Sequence, residues 1–142
     1  MSPDLYVTIS SPGLTRAAAE RIADAQWPAE ALWVHPGGNR LVTRLLRLGA
    51  HAGSLSLGAH DILDDQADWN SKTWLFNPAQ LNRFVVTLRR LYELLPDRLS
   101  LLAAWVGEDP TEVRDVTRDE LLTALAENRL GNRVLYRVAA AS

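Results

Sequence analysis

The sequence predicts an α+β fold: a mostly antiparallel sheet packed against three to four helices, in a single binding domain of residues 1–142. Segments with the period-two pattern of strands are interleaved with segments of helical periodicity. Residues 101–138 show this most clearly, as a strand, an acidic turn, a capped helix and a closing strand. The connections near residues 49–60 and 106–116 resemble antiparallel turns. A length of 142 residues fits one domain.

The N-terminal elements follow from simple patterns. Leu5, Val7 and Ile9 alternate with polar residues, which predicts a half-buried strand. Thr15 then suits the N-cap of a helix, whose predicted apolar side is Ala18, Ala19, Ile22 and Ala23. Residues 31–35 form a short strand candidate that stops at a Pro-Gly-Gly sequence.

The next segment, residues 40–48, is ambiguous. Leu41, Leu45 and Leu48 share helical spacing, whereas a strand would mix arginine and leucine on both faces. A helix is therefore the preferred interpretation. Residues 54–57 follow as a short strand candidate.

The clearest helix is predicted over residues 77–95. Asn77 is a good N-cap, and Pro78 suits the first helical position, where its missing N–H costs nothing. Pro96 ends the helix. Its apolar stripe predicts a central core helix containing Leu81, Phe84, Val85, Leu88 and Leu91.

The C-terminal third contains two further strands and a helix. Residues 100–106 and 134–138 have strand patterns. Between them, Thr117 and Glu120 have the spacing of a capping box, so a helix starts there. Gly131 is the expected C-terminal exit of that segment.

Composition restricts the classes of partner. The net charge is −2, and nucleic acid is therefore not an expected partner, because binding to it depends on the neutralisation of phosphates by clustered basic residues. No apolar run reaches the roughly 18 residues of a membrane span. The N-terminus lacks the pattern of a signal peptide, and there is no cysteine. We therefore expect a soluble, cytoplasmic protein that does not bind membranes.

Catalytic and metal-binding patterns are sparse. His35, His51 and His60 have no compact ligand spacing, and no cysteine completes a zinc site. The Gly37-Gly38 pair is too short for a phosphate-binding loop, and no serine nucleophile motif occurs. The sequence therefore predicts no enzymatic activity, no metal and no cofactor.

Two acidic clusters are the candidate partner-binding surfaces. The first lies beside two tryptophans in a segment without regular periodicity, and the second follows Trp105. Carboxylates steer the approach of a basic protein, and tryptophans supply buried anchors. The predicted partner-binding residues are Asp61, Asp64, Asp65, Asp68, Trp69 and Trp74 in the first cluster, and Glu108, Asp109 and Glu112 in the second.

The C-terminal third resembles the ends of many small bacterial immunity proteins, which protect toxin-producing bacteria from polymorphic or contact-delivered toxins. The resemblance covers about 40 residues and rests on the order of elements. It is carried by Trp105 with Gly107-Glu108-Asp109, then Val116-Thr117 with Glu120-Leu121-Leu122, and residues 132–138. It implies a small, acidic, non-catalytic α+β domain that inhibits a toxin by binding it.

The leading hypothesis is therefore an immunity protein that binds a cognate toxin domain and occludes its active site. The first alternative is a small enzyme or ligand-binding regulator with a site around His60 and Asp61. The second is a structural subunit that uses the arginine face of Arg40, Arg44 and Arg47.

Overall fold

The protein has the predicted α+β architecture, with a five-stranded mixed sheet, a two-stranded hairpin and helices. The structure, a computed structural model, describes residues 5–31, 38, 42–44, 46, 54–58, 67–70, 73–76, 78–95, 101–107 and 109–138. The strands of the large sheet follow the order β2-β1-β5-β7-β6, and the hairpin pairs β3 with β4.

Strand β1 (Leu5–Ser10) lies inside the sheet. It pairs antiparallel with β2 (Ser54–Gly58) on one side and with β5 (Leu101–Val106) on the other. As predicted, Leu5, Val7 and Ile9 are buried, because successive side chains of a strand point to opposite faces and one face is packed.

Helix α1 (Arg16–Asp24) begins where the sequence predicts. The Thr15 hydroxyl accepts a hydrogen bond from the Ala18 N–H at 3.1 Å, which satisfies a donor that the first helical turn leaves without a partner. All four predicted apolar residues of the helix are buried. After the helix, the Trp27 indole N–H donates to the Ile22 carbonyl at 3.0 Å, which fixes the chain direction as it leaves α1.

Gly38 packs against the end of α1. A Cβ atom at Gly38 would lie 1.7 Å from the Ala23 carbonyl oxygen, and the backbone φ is +102°. Both constraints require glycine, since any side chain would collide with backbone. The residue thus serves close packing between segments.

The helix predicted over residues 40–48 is confirmed at the positions that the structure describes. Residues 42–44 and 46 are helical, and Val42 and Leu46 are buried four residues apart. The stripe predicted for this helix, and residues 32–35 of the predicted strand, lie outside the described residues. Ala31 forms a bend.

Helix α2 (Pro78–Leu94) follows the hairpin of β3 (Ala67–Asn70) and β4 (Thr73–Phe76). Its predicted stripe is confirmed: Phe84 is 1% exposed, and Leu81, Val85, Leu88 and Leu91 are also buried in the core. The burial of this stripe makes α2 the main helical contribution to the core, as its periodicity indicates.

The last strands do not pair as the sequence suggests. β6 (Glu112–Val116) pairs in parallel with β7 (Val134–Val138), and β7 also pairs antiparallel with β5. The prediction of an antiparallel turn near residues 106–116 is therefore wrong. After β5 the chain forms β6 at the edge of the sheet, and β7 later fills the position between these two strands. Helix α3 (Arg118–Ala126) connects β6 to β7, because two parallel neighbouring strands need a crossover connection.

Both ends of α3 are capped, but the C-terminal cap differs from the prediction. The Thr117 hydroxyl accepts from the Glu120 N–H at 3.1 Å, as the capping box requires. At the other end Asn128, not Gly131, is left-handed, with φ of 61°. Hydrogen bonds from Asn128 N–H to the Leu125 carbonyl and from Arg129 N–H to the Ala124 carbonyl complete a Schellman motif.

Candidate protein-binding surface

The first predicted acidic cluster is described only at its C-terminal end. Asp61, Asp64 and Asp65 lie outside the described residues. Asp68 and Trp69 belong to β3, and Trp74 belongs to β4. The expectation of an irregular segment is therefore wrong at these three positions, which form part of a regular hairpin.

The hairpin register brings the two tryptophans together. Trp69 and Trp74 are directly opposite each other, and Asp68 is opposite Leu75. Directly opposing positions are the closest cross-strand neighbours in an antiparallel pair. The two tryptophans of the first predicted cluster are therefore neighbouring positions of one two-stranded sheet.

The second predicted cluster lies along the edge of the large sheet. Asp109 and Glu112 are exposed, and Glu108 lies outside the described residues. Glu112 opens β6, so it belongs to a strand rather than to the predicted turn. We use the name acidic edge for residues 109–120, which contain five carboxylates and two arginines, all exposed.

Arg133 holds the start of the acidic edge in place. Its side-chain Nε donates to the Asp109 carbonyl at 3.0 Å, and its own carbonyl accepts from the Thr111 N–H at 2.9 Å. Its N–H donates to the Val106 carbonyl at 2.8 Å. Arg133 adopts a left-handed φ of 59°, which turns its N–H and C=O toward β5 and toward the acidic edge, respectively. Two of these hydrogen bonds therefore hold the loop that carries Asp109, and the third ties Arg133 to the end of β5.

Two ion pairs neutralise part of the acidic edge. Arg114 contacts Glu112 at 2.7 Å, and Arg137 of β7 contacts Asp115 at 2.8 Å. The hydrogen bond from Arg137, followed by its positive charge, lowers the pKa of Asp115 below its ordinary value. Because both pairs are exposed, each contributes little to stability.

The acidic edge keeps a negative excess after this pairing. In the described part of the chain, Asp109, Asp119 and Glu120 have no ion-pair partner. The Arg118 guanidinium lies 4.4 Å from the centre of the Tyr92 ring, which holds one of the two arginines of the edge against α2. Three carboxylates thus remain available to an incoming cation.

An aromatic pair lies on the opposite face of the sheet from the core. Tyr6 and Trp105 are register partners in β1 and β5, and their rings stack with centroids 4.9 Å apart. Both are half-buried. Trp105, which belongs to the C-terminal resemblance, therefore packs across two central strands, and this contact stabilises the sheet.

A small open groove of about 90 Å³ lies between α2 and α3. Arg89, Glu93, Arg118 and Asp119 are among its lining residues, so both signs of charge occur there in equal number. Such a balanced lining favours neither an anion nor a cation. The groove is therefore a weaker candidate site than the acidic edge.

The predicted alternatives to a binding surface lie mostly outside the described residues. This holds for all three histidines, for Asp61 and for two of the three arginines of the proposed arginine face; Arg44 is exposed. In the described ranges, no group of three or more His, Cys, Asp or Glu side chains is arranged to hold a metal ion. Nor does any described helix combine the length and apolar character needed to cross a membrane.

Comparison of the chain with protein-family models, with curated proteins and with solved structures gives no match. The functional interpretation therefore rests on the geometry and charge of the described surface.

Sequence reasoning missed two residues of this surface. Val113 and Arg114 occupy β6 and are exposed, yet the segment was predicted to be a turn. The high charge of this segment makes the strand difficult to recognise in the sequence. The alternation of Val113 with Glu112 and Arg114, together with the β-branched Val116, is the signal that could have indicated it.

Proposed function

We propose that this protein is a non-catalytic immunity protein that binds a cognate bacterial toxin domain and covers its active site. The observation that carries the proposal is the acidic edge, an exposed run of carboxylates along β6, the loop before it and the first turn of α3 after it. A toxin that handles nucleic acid or a nucleotide needs a basic cleft, and a run of fixed carboxylates is complementary to such a cleft.

The ordered backbone of the acidic edge favours a mechanism in which the protein inhibits the toxin by covering its active site. The backbone of Asp109 is held by a hydrogen bond from Arg133, and the backbone of Asp119 and Glu120 belongs to the capped first turn of α3. Because the backbone that carries these carboxylates is already ordered, binding costs side-chain freedom but little backbone freedom. The tryptophans of the β3–β4 hairpin would supply the anchors of a second contact.

The proposal is tested by co-expression with a toxin domain encoded by a neighbouring gene. The wild-type chain should restore growth and form a complex that survives purification. Glu108→Lys with Asp109→Lys should slow association and weaken protection, because the two substitutions reverse the sign of the charge at the start of the acidic edge and at the residue before it. The triple variant Asp64→Lys, Asp65→Lys, Asp68→Lys tests the first cluster in the same way.

A matched control reverses two exposed carboxylates elsewhere, Asp24→Lys with Glu30→Lys. This control changes the net charge as much as the edge variant does, so it should retain protection. If both surface variants fold and protect as well as the control, neither acidic cluster is the interface. If the wild-type chain neither binds nor protects, the immunity function itself is wrong.

A further inference from the structure

The outer margin of β6 is an open sheet edge in the part of the chain that the structure describes. β6 has one neighbour, β7, and Glu112, Val113, Arg114 and Asp115 are exposed whichever face they lie on. Val113 is 52% exposed, the large apolar side chain that stands out as exposed among the described residues. An edge strand of this kind is a template for pairing with another strand.

The backbone of β6 has hydrogen-bonding groups directed away from β7. The Thr111 N–H donates to Arg133, on the β7 side. Thr111 immediately precedes β6, and the polar groups of successive strand residues alternate between the two edges. Extending this alternation from Thr111 into β6 assigns the polar groups of Val113 and Asp115 to the β7 side. Glu112, Arg114 and Val116 therefore direct their N–H and C=O groups outward, where a second strand could pair with them.

If β6 pairs antiparallel with β6 of a second copy of the chain, its sequence favours one register over the others. A two-fold axis through Glu112, Arg114 or Asp115 would place that residue opposite its own copy and oppose like charges. An axis through Val113 places the two valines together instead. In that register Glu112 of each chain faces Arg114 of the other, twice in the dimer.

We propose that the chain forms a two-fold symmetric dimer in which β6 pairs antiparallel with β6 of a second copy, centred on Val113. The two Val113 residues form the closer, non-hydrogen-bonded pair of the ladder, and each covers the other's exposed side chain. The Glu112–Arg114 contact of 2.7 Å within each of the two strands is exchanged for a contact between the strands, so the dimer has two such contacts in either arrangement. This dimer extends the sheet to ten strands and does not require a toxin. Because β6 lies within the acidic edge, the dimer covers part of the proposed toxin-binding surface, so dimerisation and toxin binding at that surface would compete.

The test is sedimentation analysis of the full chain at concentrations up to about 1 mM, where even a weak dimer is populated. The wild-type chain should dimerise. In Glu112→Arg the introduced arginine would face Arg114 of the second copy, and in Arg114→Glu the introduced glutamate would face its Glu112. Like charges would then oppose each other across the interface, so each single variant should raise the dimer dissociation constant about tenfold or more. Val113→Lys should act in the same direction.

Mixing the two single variants separates pairing between chains from effects within one chain. Neither variant can restore its own intrachain Glu–Arg pair, but a strand with two arginines complements a strand with two glutamates. The mixture should therefore form a heterodimer at concentrations where each variant alone is monomeric.

The matched control is Glu127→Arg. Glu127 and Arg129 form an exposed pair two residues apart, with the same chemistry as Glu112 and Arg114. This variant should leave the dimer unchanged. A monomeric wild-type chain at about 1 mM would overturn the proposal, and so would a mixture that stays monomeric or a control that dissociates as readily as Glu112→Arg.

Discussion

Strands β1 and β6 belong to the same sheet, yet their side chains have opposite environments. In β1, between β2 and β5, Val7 is 0% exposed and every second residue is buried. In β6, at the edge, Val113 is 52% exposed and four consecutive residues face solvent. An alternating sequence therefore indicates that one face of a strand is packed against the core. A strand without such a face can still belong to the sheet, because only its backbone has to pair.

The charge of β6 is consistent with its place at the edge. Charged side chains on an edge strand discourage indiscriminate pairing with other chains. They also obscure the strand in the sequence, because glutamate and aspartate are uncommon in strands. We therefore expect substitutions in the packed centre to change stability much more than substitutions at the charged edge.

The largest expected effect is at the core helix that packs on the sheet. Phe84→Ala should destabilise the fold by about 3–5 kcal/mol, because the ring is 1% exposed and its loss leaves a cavity. Urea unfolding followed by tryptophan fluorescence measures the change. Phe84→Leu keeps most of the volume and should lose less. A cost below about 1 kcal/mol for the alanine variant would contradict the assignment of the core.

The same substitution in the two strands makes the comparison directly. Val7→Ala in β1 should cost about 2–3 kcal/mol, whereas Val113→Ala in β6 should change stability by no more than about 0.5 kcal/mol. Unfolding is measured at low protein concentration, so that association does not contribute. Equal costs at the two positions would mean that the edge is packed in solution.

The N-cap of α3 should have an intermediate effect. Thr117 follows β6 directly, and its hydroxyl accepts from the Glu120 N–H at 3.1 Å. Thr117→Ala should therefore cost about 1 kcal/mol, and Thr117→Ser should restore most of it because the accepting oxygen returns. Hydrogen exchange in residues 118–126 would show whether the loss is local to the helix. An alanine variant as stable as wild type would argue against this cap.

The smallest effect concerns Asp115 and Arg137 on the exposed side of β6. Arg137 lowers the pKa of Asp115 in the folded chain, so this pair stabilises the fold above the ordinary pKa of an aspartate. That contribution is lost as the pH falls through the lowered folded value. NMR titration should show the Asp115 pKa rising in Arg137→Gln, while Thr117→Ala leaves it unchanged. An unaltered Asp115 pKa would show that the contact does not persist in solution.

Local patterns predicted most of the regular elements. The α2 helix was predictable because Pro78, the stripe through Phe84 and the following Pro96 all indicate the same segment. β1 was predictable because Leu5, Val7 and Ile9 alternate with polar residues. The hairpin of β3 and β4 was not, since its residues lack alternation and the short Ser71-Lys72 link gives no strong turn signal.

The candidate site was predictable in part. The carboxylates of Asp109 and Glu112 were identified from their density and their position after Trp105, and both are exposed. Their setting on a strand edge was not identified, and neither was the role of Arg133. That residue lies 24 positions from Asp109 along the chain, and no local pattern signals a contact over such a distance.

The sequence by itself determined the α+β class, the three capped or striped helices and the strands with one packed face, because periodicity and capping depend on residues a few positions apart. Only the tertiary structure decided that β7 lies between β5 and β6, that β6 runs parallel to β7, and that Gly38 packs against Ala23. It also selected Asn128 rather than Gly131 for the helix exit. These choices depend on hydrogen bonds and packing between segments far apart in the chain, where the burial of the whole domain decides which pairing has the lowest free energy.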